Sequence, residues 1–402
     1  MNFNMTLPGL KGTKITAVEE RESGMVIHLE MPRKPHTCPS CGQLTEKIHD
    51  YRLQKVKHLK WFERPTFLFY KRRRYVCACG KRFAEKAPFL ERYQRFSKEG
   101  NQALRIRAIK AKTFKEAAEV MGTSTTTVMR RFKEVAAKEL VAGVKLPKAI
   151  AIDEYKGDTD AGKFQLIIAN AETREPIDIL PNRRKETIKD YLKQYGQAVE
   201  VVVMDMSSSF RAAVREALGK PVIIADRFHF SRYIYWALDH VRREVQKGWH
   251  AYDRKKCKKM RHVFFKRPNK LTESNQFYLK RYVEMSPLLK EAYELKNVYC
   301  EWFDAAKEET DIMKVKEGLE AFYRTVEASN LPAFQKAIQT FRNWQVEILN
   351  SFVFGYSNGF LEGINNKTKV MKRNAYGYKR FDHFKAKILL NLKYKDVGSN
   401  VG

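Results

Sequence analysis

Three carboxylates stand where phosphoryl-transfer chemistry would need them. Asp153 closes an apolar run in AIAIDEY, Asp205 closes another in VEVVVMDMSSSF, and Glu362 lies far downstream in GYSNGFLEGINNKTK. Breaking a phosphodiester takes an activated hydroxyl and a stabilised leaving oxygen, and two Mg2+ (or Mn2+) ions roughly 4 Å apart supply both. Mg2+ takes carboxylates, water and phosphate oxygens as ligands. Two aspartates at strand ends with a distant glutamate make such a ligand set. Each aspartate has a rival. Glu154 follows Asp153, but strand alternation points only one of them to a given face. Asp226, in IIADRFHF, ends the next run and forms an Asp-x-x-His cluster with His229. That cluster can bind a metal, brace the chain or position DNA; a supporting role is expected, with His229 contacting DNA near the cut.

The elements that must position these groups are legible as a pattern. Apolar runs at 148–155, 163–171 and 175–181 precede a helix at 184–195, a run at 199–206, a helix at 208–218 and a run at 220–228. Short connections suit an antiparallel meander for the first three runs, and the later βαβ units suit parallel pairing. The order β-β-β-α-β-α-β is that of an RNase H-like α/β fold. It makes the Asp153 and Asp205 strands neighbours, so the two carboxylates are expected to share a metal. Residues 148–229 are therefore read as the first part of a catalytic core. Residues 230–350 are charged and helical with no strand signal, and read as an all-helical insertion; 351–402 returns to the core as basic helices. Residues 362, 366, 369 and 373 share a helix face, which predicts Asn366, Lys369 and Arg373 as DNA contacts beside Glu362. In the insertion, Trp249 and Trp302 are candidates for stacking on a distorted base, with core packing the competing role.

Upstream lies a different chemistry. Cys38-Pro-Ser-Cys41-Gly42 and Cys77-Ala-Cys79-Gly80 place four thiolates on two tight turns, 35 residues apart. Four thiolates suit one tetrahedral structural Zn2+, and residues 36–96 read as a zinc ribbon after a short β-rich lead-in at 1–35. The second pair is one residue shorter than C-x-x-C, which leaves His36 or His49 as substitutes for a cysteine. KRRRY follows on the chain toward Cys77, and Arg72, Arg73 and Arg74 read as a phosphate-contacting stripe. Residues 97–147 read as a helix-turn-helix domain. In TFKEAAEVMGTSTTTVMRRF, Ala117 and Ala118 allow close helix crossing, Gly122 suits the turn, and Ser124 or Thr125 can cap the second helix. Val128 and Phe132 would face the first helix; Thr125, Thr126, Thr127, Arg130 and Arg131 would face the major groove or phosphates.

Charge says what these parts meet. The chain of 402 residues carries 77 Lys+Arg against 46 Asp+Glu, a net charge of +31. Such a surface calls for a polyanion, and double-stranded DNA is the leading partner. An anionic membrane is the competing reading, but no apolar run approaches the roughly 20 residues needed to span a bilayer. The opening MNFNMTLPGLKG has no apolar signal core, so a cytoplasmic location is expected, with Cys257 and Cys300 as free thiols.

At CPSCG, AIDE, VVVMDMS, ADRFHF and SNGFLEGINNKTKVMKRNAYGY the chain resembles a DDE transposase of bacterial insertion sequences, most closely the ISL3 family. The resemblance covers nearly the whole chain. It implies a multidomain α+β protein: zinc ribbon, helix-turn-helix, and an RNase H-like catalytic domain interrupted by a helical insertion. It implies Asp153, Asp205 and Glu362 as the catalytic triad. The 156 residues between Asp205 and Glu362 match an insertion-bearing domain. It further implies binding of transposon ends and target DNA by a homodimer or larger synaptic assembly. Two alternatives share some of these features: an RNase H-fold nuclease or resolvase, and a non-catalytic DNA-binding regulator, which predicts a lost carboxylate.

Overall fold

The structure, a computed structural model, describes residue 7, residues 9–140 and residues 145–394. The parts of the expected domains at 1–6, 8, 141–144 and 395–402 lie outside the described residues. The chain divides into two compact units, Met1–Val141 and Ala142–Gly402.

The first unit holds strands β1 (Lys14–Arg21), β2 (Gly24–Glu30), β3 (His36–Thr37), β4 (Leu44–Thr45), β5 (Ile48–Lys57), β6 (Thr66–Val76) and β7 (Arg82–Ala84). One sheet runs β1-β2-β6-β5, with β7 also on β6; β2 and β6 are parallel and the other pairs antiparallel. The β1–β2 hairpin of the lead-in thus shares a sheet with the ribbon strands, and a boundary at 35/36 would run through that sheet. Ile27, Leu29, Val56, Leu68, Tyr70 and Phe89 form its core. Helices α1 (Lys98–Lys110), α2 (Phe114–Met121) and α3 (Thr125–Glu139) follow. The turn between α2 and α3 is built as its residues dictate. Gly122 ends α2 with φ 57°, a left-handed conformation that suits glycine, and the Ser124 hydroxyl caps α3 by accepting from Thr127 N at 3.2 Å. Ala117, Ala118, Val128 and Phe132 are buried where the helices meet.

The second unit begins with β8 (Ala149–Thr159), β9 (Gly162–Asn170) and β10 (Pro176–Leu180). It continues with α4 (Lys185–Tyr195), β11 (Val201–Met204), α5 (Ser208–Leu218) and β12 (Val222–Ala225). The sheet order is β10-β9-β8-β11-β12; the first three strands are antiparallel neighbours, and β8, β11 and β12 run parallel. This is the element order and pairing read from the sequence. Eight helices then follow: α6 (Arg227–Val245), α7 (Ala251–Lys259), α8 (Arg261–Phe265), α9 (Glu273–Glu284), α10 (Pro287–Glu308), α11 (Ile312–Glu327), α12 (Pro332–Asn343) and α13 (Gln345–Val353). Their apolar faces share one continuous core with the sheet, from Ile150 and Ile168 through Phe230 and Ile234 to Tyr299 and Phe341. Trp302 belongs to this core and donates its indole N–H to Val315 O at 3.0 Å, while Trp249 stacks on Tyr282. Helices α14 (Gly359–Asn374) and α15 (Phe381–Lys393) close the unit; α14 packs on β8 and α15 on β10.

Candidate active site and metal centre

Strand register brings the two aspartates together. In the parallel β8–β11 pair, Ala151 stands opposite Val203, so Asp153 and Asp205, each two residues on, continue the same row. Ile150, Ile152, Val202 and Met204 enter the main core; the alternate positions, including both aspartates, face the other way. Glu154, out of phase with Asp153, pairs with Arg183 at 2.5 Å. Asp226 is taken up as a helix cap, accepting from Phe228 N at 2.9 Å and His229 N at 3.1 Å. Neither rival joins the pair.

Helix α14 reaches both aspartates with amides. Asn358 stands at its N-cap position, yet caps nothing; its Nδ2 instead donates to Asp205 Oδ1 at 3.3 Å. Asn365 Nδ2 donates to Asp153 Oδ2 at 2.7 Å. Residues 358, 362 and 365 fall on one helical face, so Glu362 lies on the stripe between the two amides, with an exposed side chain. Asn365, which was not among the expected contacts, turns inward, whereas Asn366, Lys369 and Arg373, expected to meet DNA, are exposed. Sequence spacing alone could not choose between adjacent asparagines; the buried Leu361 and Ile364, which fix the helix rotation, could have.

His229 stands against Asp205: its Nδ1 is 2.9 Å from Asp205 Oδ2. Burial opposes protonation of this ring, but the Asp205 carboxylate outweighs it and lifts the imidazole above its ordinary value. Asp153 is the most perturbed acid. Burial, then the neighbouring Asp205 charge, push its carboxyl up to about 7. Two crowded carboxylates, the Asp205 charge raising the cost of ionising Asp153, are hard-oxygen donors whose chemistry fits a divalent ion. Asn365 Oδ1 is also buried with no hydrogen-bond partner, a further oxygen donor at the same place.

The four cysteines form the tighter cluster. Among the described residues they are the one group of three or more His, Cys, Asp or Glu whose ligand atoms all lie within 4.8 Å of one another. Asp153, Asp205 and Glu362 are more open than that. Cys38 and Cys79 are 3.7 Å apart at sulfur, Cys41 and Cys77 3.5 Å. A tetrahedral ZnS4 centre with Zn–S near 2.3 Å has S···S edges of about 3.8 Å, so the spacing fits zinc. The short second turn is accommodated by Gly80 at φ 83°, which donates back to Cys77 O at 2.9 Å. Backbone N–H groups of Cys41 and Ser40 hold the Cys38 thiol down to about 6, favouring the thiolate a metal needs. His36 packs on Tyr75 instead.

Four arginines expected to contact DNA have partners within the protein. Arg73 is buried, paired with Glu30 at 3.0 Å and Glu85 at 3.5 Å. Arg72 donates to Glu85 O, and Arg74 pairs with Asp50 at 2.9 Å. Side chains alternate across strand β6, so three consecutive arginines cannot share one open face. Arg131 is likewise buried, one turn from Val128, and pairs with Glu134 at 2.8 Å. Thr125, Thr126 and Arg130 are exposed on α3, and Thr127 is half-buried.

A family model described as a transposase matches residues 150–388. The chain belongs to the ISL3 transposase family. Two further models of these transposases match its zinc finger at 34–79 and its helix-turn-helix domain at 85–136. The transposase of insertion sequence element IS1001 from Bordetella parapertussis is 24% identical over 411 residues, 95% of this chain and 96% of that protein. A Lactococcus lactis subsp. lactis protein named as an ATP-dependent protease is 35% identical over 120 residues, 30% of this chain and 35% of its own length. That segment is too short a share of either chain to bear on activity. For this ISL3-family transposase, a DNA-binding helix-turn-helix and a cysteine cluster suited to zinc are part of the family pattern, and no helix among the described residues is long and apolar enough to cross a membrane.

Proposed function

We propose that this transposase cuts the ends of its insertion sequence and joins them to target DNA at a centre formed by Asp153, Asp205 and Glu362. The catalytic domain is read as RNase H-like, in two parts at 148–229 and 351–402 with the helical insertion of 230–350 between them. The N-terminal segments 1–35, 36–96 and 97–147 form the lead-in, ribbon and helix-turn-helix that bind the terminal inverted repeats. Cys38, Cys41, Cys77 and Cys79 hold one structural zinc. Thr125, Thr126 and Arg130 at the start of α3 meet the groove. Two ends must be held at once, so a homodimer or larger assembly on the chromosome, in the cytoplasm, is the working form.

The observation that carries this reading is the pairing of Asp153 with Asp205 at one level of adjacent parallel strands, with α14 reaching both. The three carboxylates would hold the divalent cations, which when bound activate a hydroxyl and stabilise a leaving oxygen. The residues themselves do the following. Asp153 gives up its proton as the site fills. Asn365 and Asn358 hold the two aspartates in place, and His229 holds the second Asp205 oxygen. Lys369 and Arg373 face the phosphate backbone beside Glu362. Water cleaves the strand and frees a 3′-hydroxyl; that hydroxyl then attacks a target phosphodiester and displaces its 3′-oxygen.

The test incubates labelled element ends and a target plasmid with the protein and Mg2+ or Mn2+. Cleavage and strand transfer are expected from the wild type. Asp205→Asn should keep end binding and lose both products; normal cleavage by that variant would overturn the assignment.

A further inference from the structure

Helix α6 leads away from the candidate centre with an exposed ladder of rings and charge. Phe228, Arg232 and Trp236 follow at four-residue intervals, so they share one face over roughly 12 Å of helical rise. Phe228 is 61% exposed and Trp236 45%. The Arg232 guanidinium bridges them, 5.7 Å from the Phe228 ring centroid and 4.5 Å from that of Trp236. The opposite face of the same helix buries its apolar groups in the usual way, with Phe230, Ile234, Ala237 and Leu238 in the core. Packing therefore accounts for that side; on the ladder side Trp236 meets Tyr233 edge-on at 5.5 Å, and both ladder rings keep large exposed faces. The ladder also begins at the centre. Phe228 meets the His229 ring edge-on at 5.7 Å, and His229 contacts Asp205.

We propose that Phe228, Arg232 and Trp236 form a platform on which unpaired bases of the DNA strand beside the scissile phosphate stack. Every base has a π-face, so rings and a guanidinium bind single-stranded DNA without regard to sequence. The guanidinium between the rings and the chain's net charge of +31 favour a polyanion over an apolar helix as occupant. Continuity with Asp205 through His229 places that occupant next to the reacting phosphate. The two tryptophans that the sequence offered for this task, Trp249 and Trp302, are occupied in packing. The inference rests on reading Asp153, Asp205 and Glu362 as a DNA-cleaving centre, and it locates the strand such a centre would act on.

The test titrates the full-length, zinc-loaded protein with a 20-nucleotide oligothymidylate in Mg2+-free buffer, following tryptophan fluorescence and anisotropy of a labelled oligonucleotide. Phe228→Ala and Trp236→Ala are each expected to weaken binding about five- to a hundred-fold, and Phe228→Tyr to restore it. Both side chains are exposed, so the variants keep the core; unchanged thermal unfolding checks this. The same proteins are then given labelled element ends with Mg2+. Slower cleavage by the alanine variants, relieved when the base pairs flanking the cut are mismatched, supports the platform. Weaker oligonucleotide binding by the variants with no cleavage even by the wild type supports the platform and refutes the catalytic reading. Unchanged oligonucleotide affinity in both alanine variants overturns the platform, whatever the cleavage result. A change only in oligomeric state overturns it too, and makes the face a protein contact.

Discussion

Replacing Asp153 with asparagine should stabilise the protein at pH 8 in the absence of Mg2+. The Asp153 carboxyl is pushed up to about 7 from an ordinary 3.8, first by burial and then by Asp205. At about 1.4 kcal/mol per pH unit between the two values, the ionised carboxylate destabilises the fold by about 4 kcal/mol. The folded value lies above the unfolded one. Stability from this group is therefore present in acid, where the folded state keeps its proton, and is lost as pH rises from about 4 to about 7. Asparagine removes the charge but not for free. Asp153 accepts from Glu154 N and Asn365 Nδ2, each at 2.7 Å, and an amide has one oxygen for those two donors. The unmade bond costs about 1–2 kcal/mol, leaving a net gain of about 2 kcal/mol. For a unit of this size that is a rise in Tm of about 4–8 °C. Tryptophan fluorescence is a suitable probe, since Trp236, Trp249, Trp302 and Trp344 lie in the second unit and Trp61 alone in the first. The advantage should shrink to nothing near pH 5. Saturating Mg2+ should reverse the order, adding about 2.7 kcal/mol to the wild type at a hundred times its Kd. A variant less stable than wild type at pH 8, or a difference constant from pH 5 to 8, would refute the reasoning.

Other outcomes separate roles that look alike in the sequence. Asn365→Ala should weaken Mn2+ binding about 10- to 100-fold, as loss of a ligand-orienting partner does, while Asn366→Ala leaves it unchanged; titration calorimetry distinguishes them, and equal effects would contradict the α14 rotation. Arg73→Ala strands Glu30 and Glu85 and should destabilise the first unit by about 3–5 kcal/mol, read by urea unfolding. Arg130→Ala should leave stability alone and reduce the salt slope of end binding by about one. Cys38→Ser should lower bound zinc, measured by mass spectrometry, and abolish cooperative unfolding of the ribbon; full zinc content in that variant would remove the proposed site.

Much of the second unit is written in local patterns. Alternating or continuous apolar runs with short links marked β8–β12, and it was the β-β-β-α-β-α-β order that set the Asp153 strand beside the Asp205 strand. Likewise Gly122 and Ser124 marked the turn of the helix-turn-helix by their own backbone and capping chemistry. The errors came where burial depends on distant residues. Arg72, Arg73 and Arg74 look like an open basic stripe until Glu30, Asp50 and Glu85 arrive from other strands. Arg131 looks like a groove contact until Gln94 and Glu134 claim it. Asn358 and Asn365 were hidden for the same reason: their partners are more than 150 residues away in sequence. Phe228 and Trp236 carried no signal, because exposure of an aromatic ring is decided by what does not cover it.

The central claim is that Asp153, Asp205 and Glu362 share divalent cations, and anomalous diffraction at the manganese edge from crystals grown with Mn2+ and an element-end duplex tests it most directly. The account predicts anomalous peaks ligated by all three carboxylates, with Glu362 drawn in along α14 to join the aspartates. Manganese bound without Glu362, or absent from between Asp153 and Asp205, would contradict it.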